Sequence, residues 1–142
     1  KSRSLAGMRI GYAFGSETLI STLEAVKNSY NSYTMDSLAL AVGEASIRDE
    51  AYFRETCRKV AATRDRAADE LRALGFEVTP SLANFLFATH PKKAAPEIFS
   101  ALREKGIFIR YFKLPRIDNH LRITVGTDEQ MDALIAALKQ IL

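Results

Sequence analysis

The sequence predicts an α/β protein, and three observations carry the prediction. Apolar residues recur at three- and four-residue steps through the first half, the spacing of helices with one buried face. From Phe76 onward the texture changes to short apolar runs of strand length. Helix-start and helix-stop signals alternate with those runs down to the C-terminus, which describes a small sheet covered by helices.

In chain order, residues 9–14 (Arg-Ile-Gly-Tyr-Ala-Phe) read as a short strand that turns at Gly15. Ser16 offers an N-cap oxygen and Glu17 an acidic first turn; Leu19, Ile20, Leu23 and Val26 share one face of the helix that follows. Asn28 to Tyr33 (Asn-Ser-Tyr-Asn-Ser-Tyr) breaks that pattern and reads as a loop. A long helical region spans Asp36 to Leu74, with a second segment able to start at Asp49. Its stripe is Phe53, Cys57, Val60, Ala67, Leu71 and Leu74, and Gly75 supplies the left-handed stop.

Strands follow at Glu77-Val78, at Asn84–Ala88, at Ile107–Arg110 and at His120–Val125. The last places Leu121, Ile123 and Val125 on one face and Arg122 and Thr124 on the other. Between them, Pro96–Lys105 is a helix with Ile98, Phe99 and Leu102 inward, closed by Gly106. Thr127 and Gln130 have capping-box spacing before a final helix with Met131, Leu134, Ile135, Leu138, Ile141 and Leu142 in its stripe.

Composition narrows the function class. The 142 residues carry a formal charge of only +3. The basic residues Arg54, Arg58, Lys59, Arg64 and Arg66 are mixed with Glu55, Asp65 and Asp69, a solvated helix face and not a nucleic-acid stripe. A single cysteine, Cys57, excludes an intramolecular disulfide framework and fits a reducing compartment, so a cytoplasmic setting is expected. No apolar run is long enough to span a bilayer. No metal-ligand spacing and no Ser-His-Asp arrangement is present. His90 and His120 read as surface or strand-end residues, and Cys57 as packing.

Two stretches carry chemistry. The first is Lys1-Ser-Arg-Ser-Leu-Ala-Gly7-Met-Arg9-Ile-Gly11. On residues alone, a lysine at a chain end is a solvated terminus. The whole stretch, however, resembles the lysine segment of fold-type I aminotransferases, in which a Schiff-base lysine is followed eight positions later by an arginine flanked by glycines. The wording Leu-Ala-Gly-Met-Arg-Ile-Gly-Tyr is especially similar to the histidinol-phosphate branch of that family. The resemblance implies pyridoxal 5'-phosphate as cofactor, Lys1 as catalytic and cofactor-binding residue, and Arg9 as the ligand of the cofactor phosphate. The chemistry suits the residue types. A lysine with a lowered pKa is a nucleophile and a proton carrier. A guanidinium forks onto a phosphate dianion, and glycines let the backbone approach it. Arg3 reads as a surface residue or a phosphate-side neighbour.

The second stretch pairs Arg110 with His120-Leu-Arg122-Ile-Thr-Val-Gly-Thr127. Strand arginines are often salt-bridged surface residues. The resemblance implies instead that Arg122 grips a substrate anion and that Arg110 joins it on the phosphate of the amine. The same fork accepts the carboxylate of a keto-acid co-substrate such as 2-oxoglutarate. Ala-Asn84-Phe85 resembles a position where the asparagine backs the substrate pocket; a turn or capping role for Asn84 is the alternative.

The resemblance covers the whole chain and corresponds to roughly the last two-fifths of a family member. It implies that residues 1–33 end the large cofactor-binding domain, that 34–75 form a connecting helical region, and that 76–142 are the small C-terminal α/β domain. The expected activity is transfer of an amino group between histidinol phosphate and 2-oxoglutarate, in a homodimer that binds neither nucleic acid nor membrane. Other expectations on the same scaffold are an aromatic or broad-specificity aminotransferase and a phosphothreonine decarboxylase; outside enzymes, a binding or dimerisation module. The 142 residues by themselves are expected to be inactive, because the partners of the cofactor ring lie elsewhere in the family.

Overall fold

Ser16 begins the first helix by accepting a hydrogen bond from the Leu19 N–H at 3.4 Å, which satisfies one of the amides a helix start leaves free. Helix α1 then runs Glu17–Tyr30 in the computed structural model, which describes residues 2–142. It continues through Asn28–Tyr30, where a loop is expected from the sequence. The reason is local: the Ser29 hydroxyl donates back to Ala25 O at 2.8 Å, and the chain leaves the helix only at Asn31, whose N–H bonds Lys27 O at 2.7 Å. Such back-bonding to the preceding turn weakens a helix only slightly, so this polar run does not end it.

The strand expected at 9–14 is absent. Ala6–Met8 forms one turn of 3₁₀ helix, and the residues from Ile10 to Gly15 have no regular structure. A strand needs a second ladder to bond, and the described residues through Glu55 contain none.

The long helical region divides at Asp49. Helix α2, Ser37–Arg48, starts at Asp36, whose carboxylate accepts the Ala39 N–H at 2.7 Å. Asp49 accepts the Tyr52 N–H at 3.2 Å and opens α3, Glu50–Ala73. The chain forms two compact units, one ending at Glu55 and the other running Thr56–Leu142, so that α3 contributes to both.

In the second unit, Gly75 takes φ +90° and ends α3, as its residue type predicts. A four-stranded antiparallel sheet follows, in the order β1-β2-β4-β3: β1 Glu77–Val78, β2 Phe85–Thr89, β3 Arg110–Tyr111 and β4 Leu121–Thr124. Strand β3 forms at Arg110–Tyr111 and not over 107–110, because pairing with β4 begins only where Arg110 meets Arg122. Helices α4, Ala95–Glu104, and α5, Asp128–Ile141, complete the unit. The capping box of Thr127 and Gln130 is present.

The core lies on one face of this sheet. Leu86, Ala88, Leu121 and Ile123 alternate inward and pack with Leu71 of α3, Ile98 and Leu102 of α4, and Leu134 and Leu138 of α5. Cys57, Phe53, Val60 and Leu74 are half-buried, so the stripe is fully covered only at Ala67 and Leu71. No helix among the described residues is long and apolar enough to cross a membrane.

Candidate functional site

The residues singled out by the sequence fall into both units. Lys1 lies outside the described residues. Arg9, in the first unit, closes the 3₁₀ turn with a left-handed backbone, φ 56° and ψ 29°. Its N–H and its Nη1 both donate to Ala6 O, at 3.4 and 3.1 Å, and the side chain is otherwise exposed. A non-glycine residue at positive φ is uncommon, and such strain gathers at ligand sites. Ser4 shares it, at φ 56°, on the other side of the turn.

Arg9 lines an open cleft of about 980 Å³ together with Ser2, Arg3, Gly11, Tyr12 and Gly43. Ile10 approaches α2 at Gly43, where an added Cβ would stand 3.1 Å from Ile10 Cδ1, so a glycine lets the Arg9 segment lie close to the helix.

Arg3 lines the same cleft as Arg9, as a phosphate-side neighbour would, and it is also anchored to the helices. Its guanidinium donates to Ser46 O and to Glu50 Oε2 (3.1 Å for the latter), and it covers the Phe53 ring at 4.1 Å. It fastens the N-terminal segment to the junction of α2 and α3. In return the Arg3 hydrogen bond, helped by Arg54, holds the Glu50 carboxyl below its ordinary range.

The cleft's donor set suits a phosphate dianion. Arg9 has an exposed fork, and the carboxylate that lines the cleft, Glu44, is paired with Arg48 at 2.6 Å. Gly7 and Gly11 have open space where a Cβ would stand, so no part of the described chain fills the room they leave. Pyridoxal phosphate fits these residues by chemistry.

The second constellation sits on the face of the sheet opposite the core. Arg110 and Arg122 are directly opposed in the β3–β4 register. Facing Cβ atoms on such a ladder stand about 4.5–5.5 Å apart, and like charges there repel. Among the described residues neither arginine has an ion-pair partner. The surface-salt-bridge alternative therefore has no carboxylate to support it, and the pair suits an external anion.

Asn84 stands at the entrance to β2. Its carbonyl accepts the Val125 N–H at 3.0 Å, and its residue is exposed. Asn84 lies in the bend that leads into β2, where the Ser81 hydroxyl accepts the Ala83 N–H at 3.1 Å and donates to Phe85 O at 2.7 Å.

Aromatic groups on this face escape a reading of the sequence. Arg122 lies over the Phe85 ring at 4.3 Å, and His120 stacks on Phe87 with centroids 4.7 Å apart and planes 9° apart. His120 Nδ1 is buried and has no hydrogen-bond partner among the described residues. The alternation of β2 could have put Phe85 and Phe87 on the arginine face; the diagonal lean between strands has no sequence signal.

The facing arginines of the sheet and the arginine eight positions after a lysine are the features on which the resemblance to aminotransferases rests. The chain belongs to the aminotransferase class I and II family, whose model matches residues 1–138. It is 57% identical over 141 residues to histidinol-phosphate aminotransferase 2 of Dechloromonas aromatica, covering 99% of this chain and 40% of that protein. Histidinol-phosphate aminotransferase of a Marinomonas species is 55% identical over 98% of this chain and 40% of its own.

Among solved structures, histidinol-phosphate aminotransferase of Sinorhizobium meliloti, in complex with pyridoxal-5'-phosphate, matches with a TM-score of 0.87 at 31% identity, over 99% of this chain and 38% of that one. The α/β fold of a fold-type I aminotransferase, expected from the sequence, is borne out by that likeness. The chain spans about two-fifths of the length of the curated relatives it matches.

Proposed function

We propose that the protein carrying this chain is a pyridoxal-phosphate-dependent aminotransferase that exchanges an amino group between histidinol phosphate and 2-oxoglutarate, in histidine biosynthesis. The observation that carries the reading is the Arg110–Arg122 pair. These are two forks at facing positions, without counter-ions among the described residues, in a chain 57% identical to a histidinol-phosphate aminotransferase. The phosphate of the amine neutralises both guanidinium groups through charge-assisted hydrogen bonds. In the second half-reaction the same pair receives a carboxylate of 2-oxoglutarate. Asn84 lines the approach to that pocket.

Pyridoxal phosphate, when bound, supplies the electron sink that makes the substrate Cα–H acidic. Lys1 would hold it covalently; the amine of Lys1, once released, moves the proton at the substrate Cα. Arg9 would bind the cofactor phosphate and fix its position. The working form in this reading is a cytoplasmic homodimer acting on small molecules.

The test uses the intact gene product with pyridoxal phosphate. A visible absorbance band of the bound cofactor should form, bleach with histidinol phosphate and return with 2-oxoglutarate. A Lys1→Ala variant should lack the lysine-dependent band. A band that ignores histidinol phosphate but responds to phenylalanine or aspartate would move the reading to an aromatic or broad-specificity aminotransferase. No band in the folded protein would leave a non-enzymatic module.

A second reading is decarboxylation, with phosphothreonine as the substrate the sequence resemblance suggests; what supports the reaction type alone is a decarboxylase from Sulfurospirillum multivorans, which matches with a TM-score of 0.60 at 26% identity. Release of carbon dioxide without any keto acid would mark it.

A further inference from the structure

We propose that Phe85 is a positioning residue for anion recognition, a shelf that restricts the Arg122 guanidinium and so pre-sets the direction of its fork. The inference rests on the reading of Arg122 as an anion ligand given above.

The register makes the contact a specific one. Phe87, not Phe85, is directly opposite Arg122 on the neighbouring strand. Yet the guanidinium carbon lies 4.3 Å from the centre of the Phe85 ring, one diagonal step away. The Phe87 ring is engaged by the His120 imidazole, stacked almost parallel to it. Two diagonal pairs therefore run side by side, one from β4 and one from His120 just before it, and each leans toward the start of β2.

A ring engages the face of a guanidinium and leaves its edge N–H groups free, whereas a carboxylate partner would occupy them. This is the arrangement an anion-binding arginine needs. An arginine with no ion pair is free to sample many rotamers, and forming a two-point fork takes that freedom away at the moment of binding. A ring beneath the side chain removes part of it beforehand. Phe85 is itself fixed. It pairs with Thr124 in the ladder, is half-buried, and has its carbonyl held by the Ser81 hydroxyl at 2.7 Å.

The experiment measures steady-state kinetics of the intact gene product with histidinol phosphate, for Phe85→Leu, Phe85→Tyr, Arg122→Gln and the Phe85→Leu/Arg122→Gln double variant. Phe85→Met serves in place of Phe85→Leu if the latter does not fold. Loss of the ring should raise KM about two- to fivefold, the range of a cation–π contact near a surface, with kcat and cofactor absorbance little changed. Phe85→Tyr, which keeps the ring, should restore the KM. In the double variant the loss of the ring should add nothing to Arg122→Gln, because Phe85 acts through that arginine.

Additive effects in the double variant, or a Tyr variant as impaired as the Leu variant, would reduce Phe85 to packing and overturn the proposal. So would an unchanged KM in Phe85→Leu when Arg122→Gln raises it. An unchanged KM in Arg122→Gln itself would instead overturn the anion-ligand reading, and the shelf with it.

Discussion

Arg9 combines a strained backbone with an exposed charge, and its two properties can be separated by mutation. At φ 56° the residue stores about 1–3 kcal/mol that a glycine would not. Arg9→Gly is therefore expected to raise the melting temperature of the cofactor-free protein while weakening its hold on pyridoxal phosphate. Arg9→Lys keeps the charge but loses the fork, and should lower cofactor affinity without the gain in stability. An absorbance titration with cofactor and a thermal melt, run on both variants, read the two effects apart. Glu50 supplies a pH dependence. Its folded pKa lies below the ordinary 4.5, chiefly through the Arg3 hydrogen bond. A depressed carboxylate contributes stability that is complete above the unfolded pKa and is lost as the pH falls through the lower folded value. Arg3→Gln should therefore make acid denaturation begin at higher pH, as followed by circular dichroism. In the second unit Asp128 is held below its usual range by the Thr63 hydroxyl and then by Arg66, so Thr63→Val should bring the Asp128 titration, followed by NMR, back up toward normal.

At the scale of elements, the best-marked helix is also the most testable. Thr127 and Gln130 close the start of α5 reciprocally, and Thr127→Ala should cost about 0.5–2 kcal/mol in denaturant unfolding. Leu71, fully enclosed where α3 meets the sheet, should cost about 2–5 kcal/mol when cut to alanine. The elements legible in the sequence were those whose signals are local. Ser16, Asp36, Asp49 and Thr127 each accept an N–H at a helix start, and Gly75 ends α3 with the positive φ that its missing Cβ permits. Local signals mislead where partners decide. Residues 9–14 have strand-like composition, but no described strand of the first unit offers a ladder. Strand β3 begins at Arg110 because β4 determines where pairing starts. Likewise, alternation was enough to place Arg122 on the face opposite the core, and register was needed to find Arg110 opposite it and Phe85 beneath it.

Over the whole molecule, burial is very unequal. Among the described residues through Glu55, Ala39 is the one buried apolar side chain, while Phe14, Tyr30 and Tyr33 are each over 90% exposed. The large buried residues, Leu71, Leu86, Ile98, Leu102, Leu121, Ile123 and Leu138, all belong to the second unit. Amide hydrogen exchange on this chain should therefore show protection concentrated in β2, β4 and α5, with residues 9–16 exchanging fastest. Uniform protection would contradict that division. The strand order also bears on solubility. Arg110 lies on β3, an edge of the sheet, and both edge strands are two residues long. A short edge bearing a cation resists the addition of a foreign strand. Arg110 is thus a gatekeeper against self-assembly as well as a candidate ligand. Retargeting the pocket toward apolar amines through Arg110→Leu would remove that guard beside the exposed Phe108, and light scattering should rise with protein concentration.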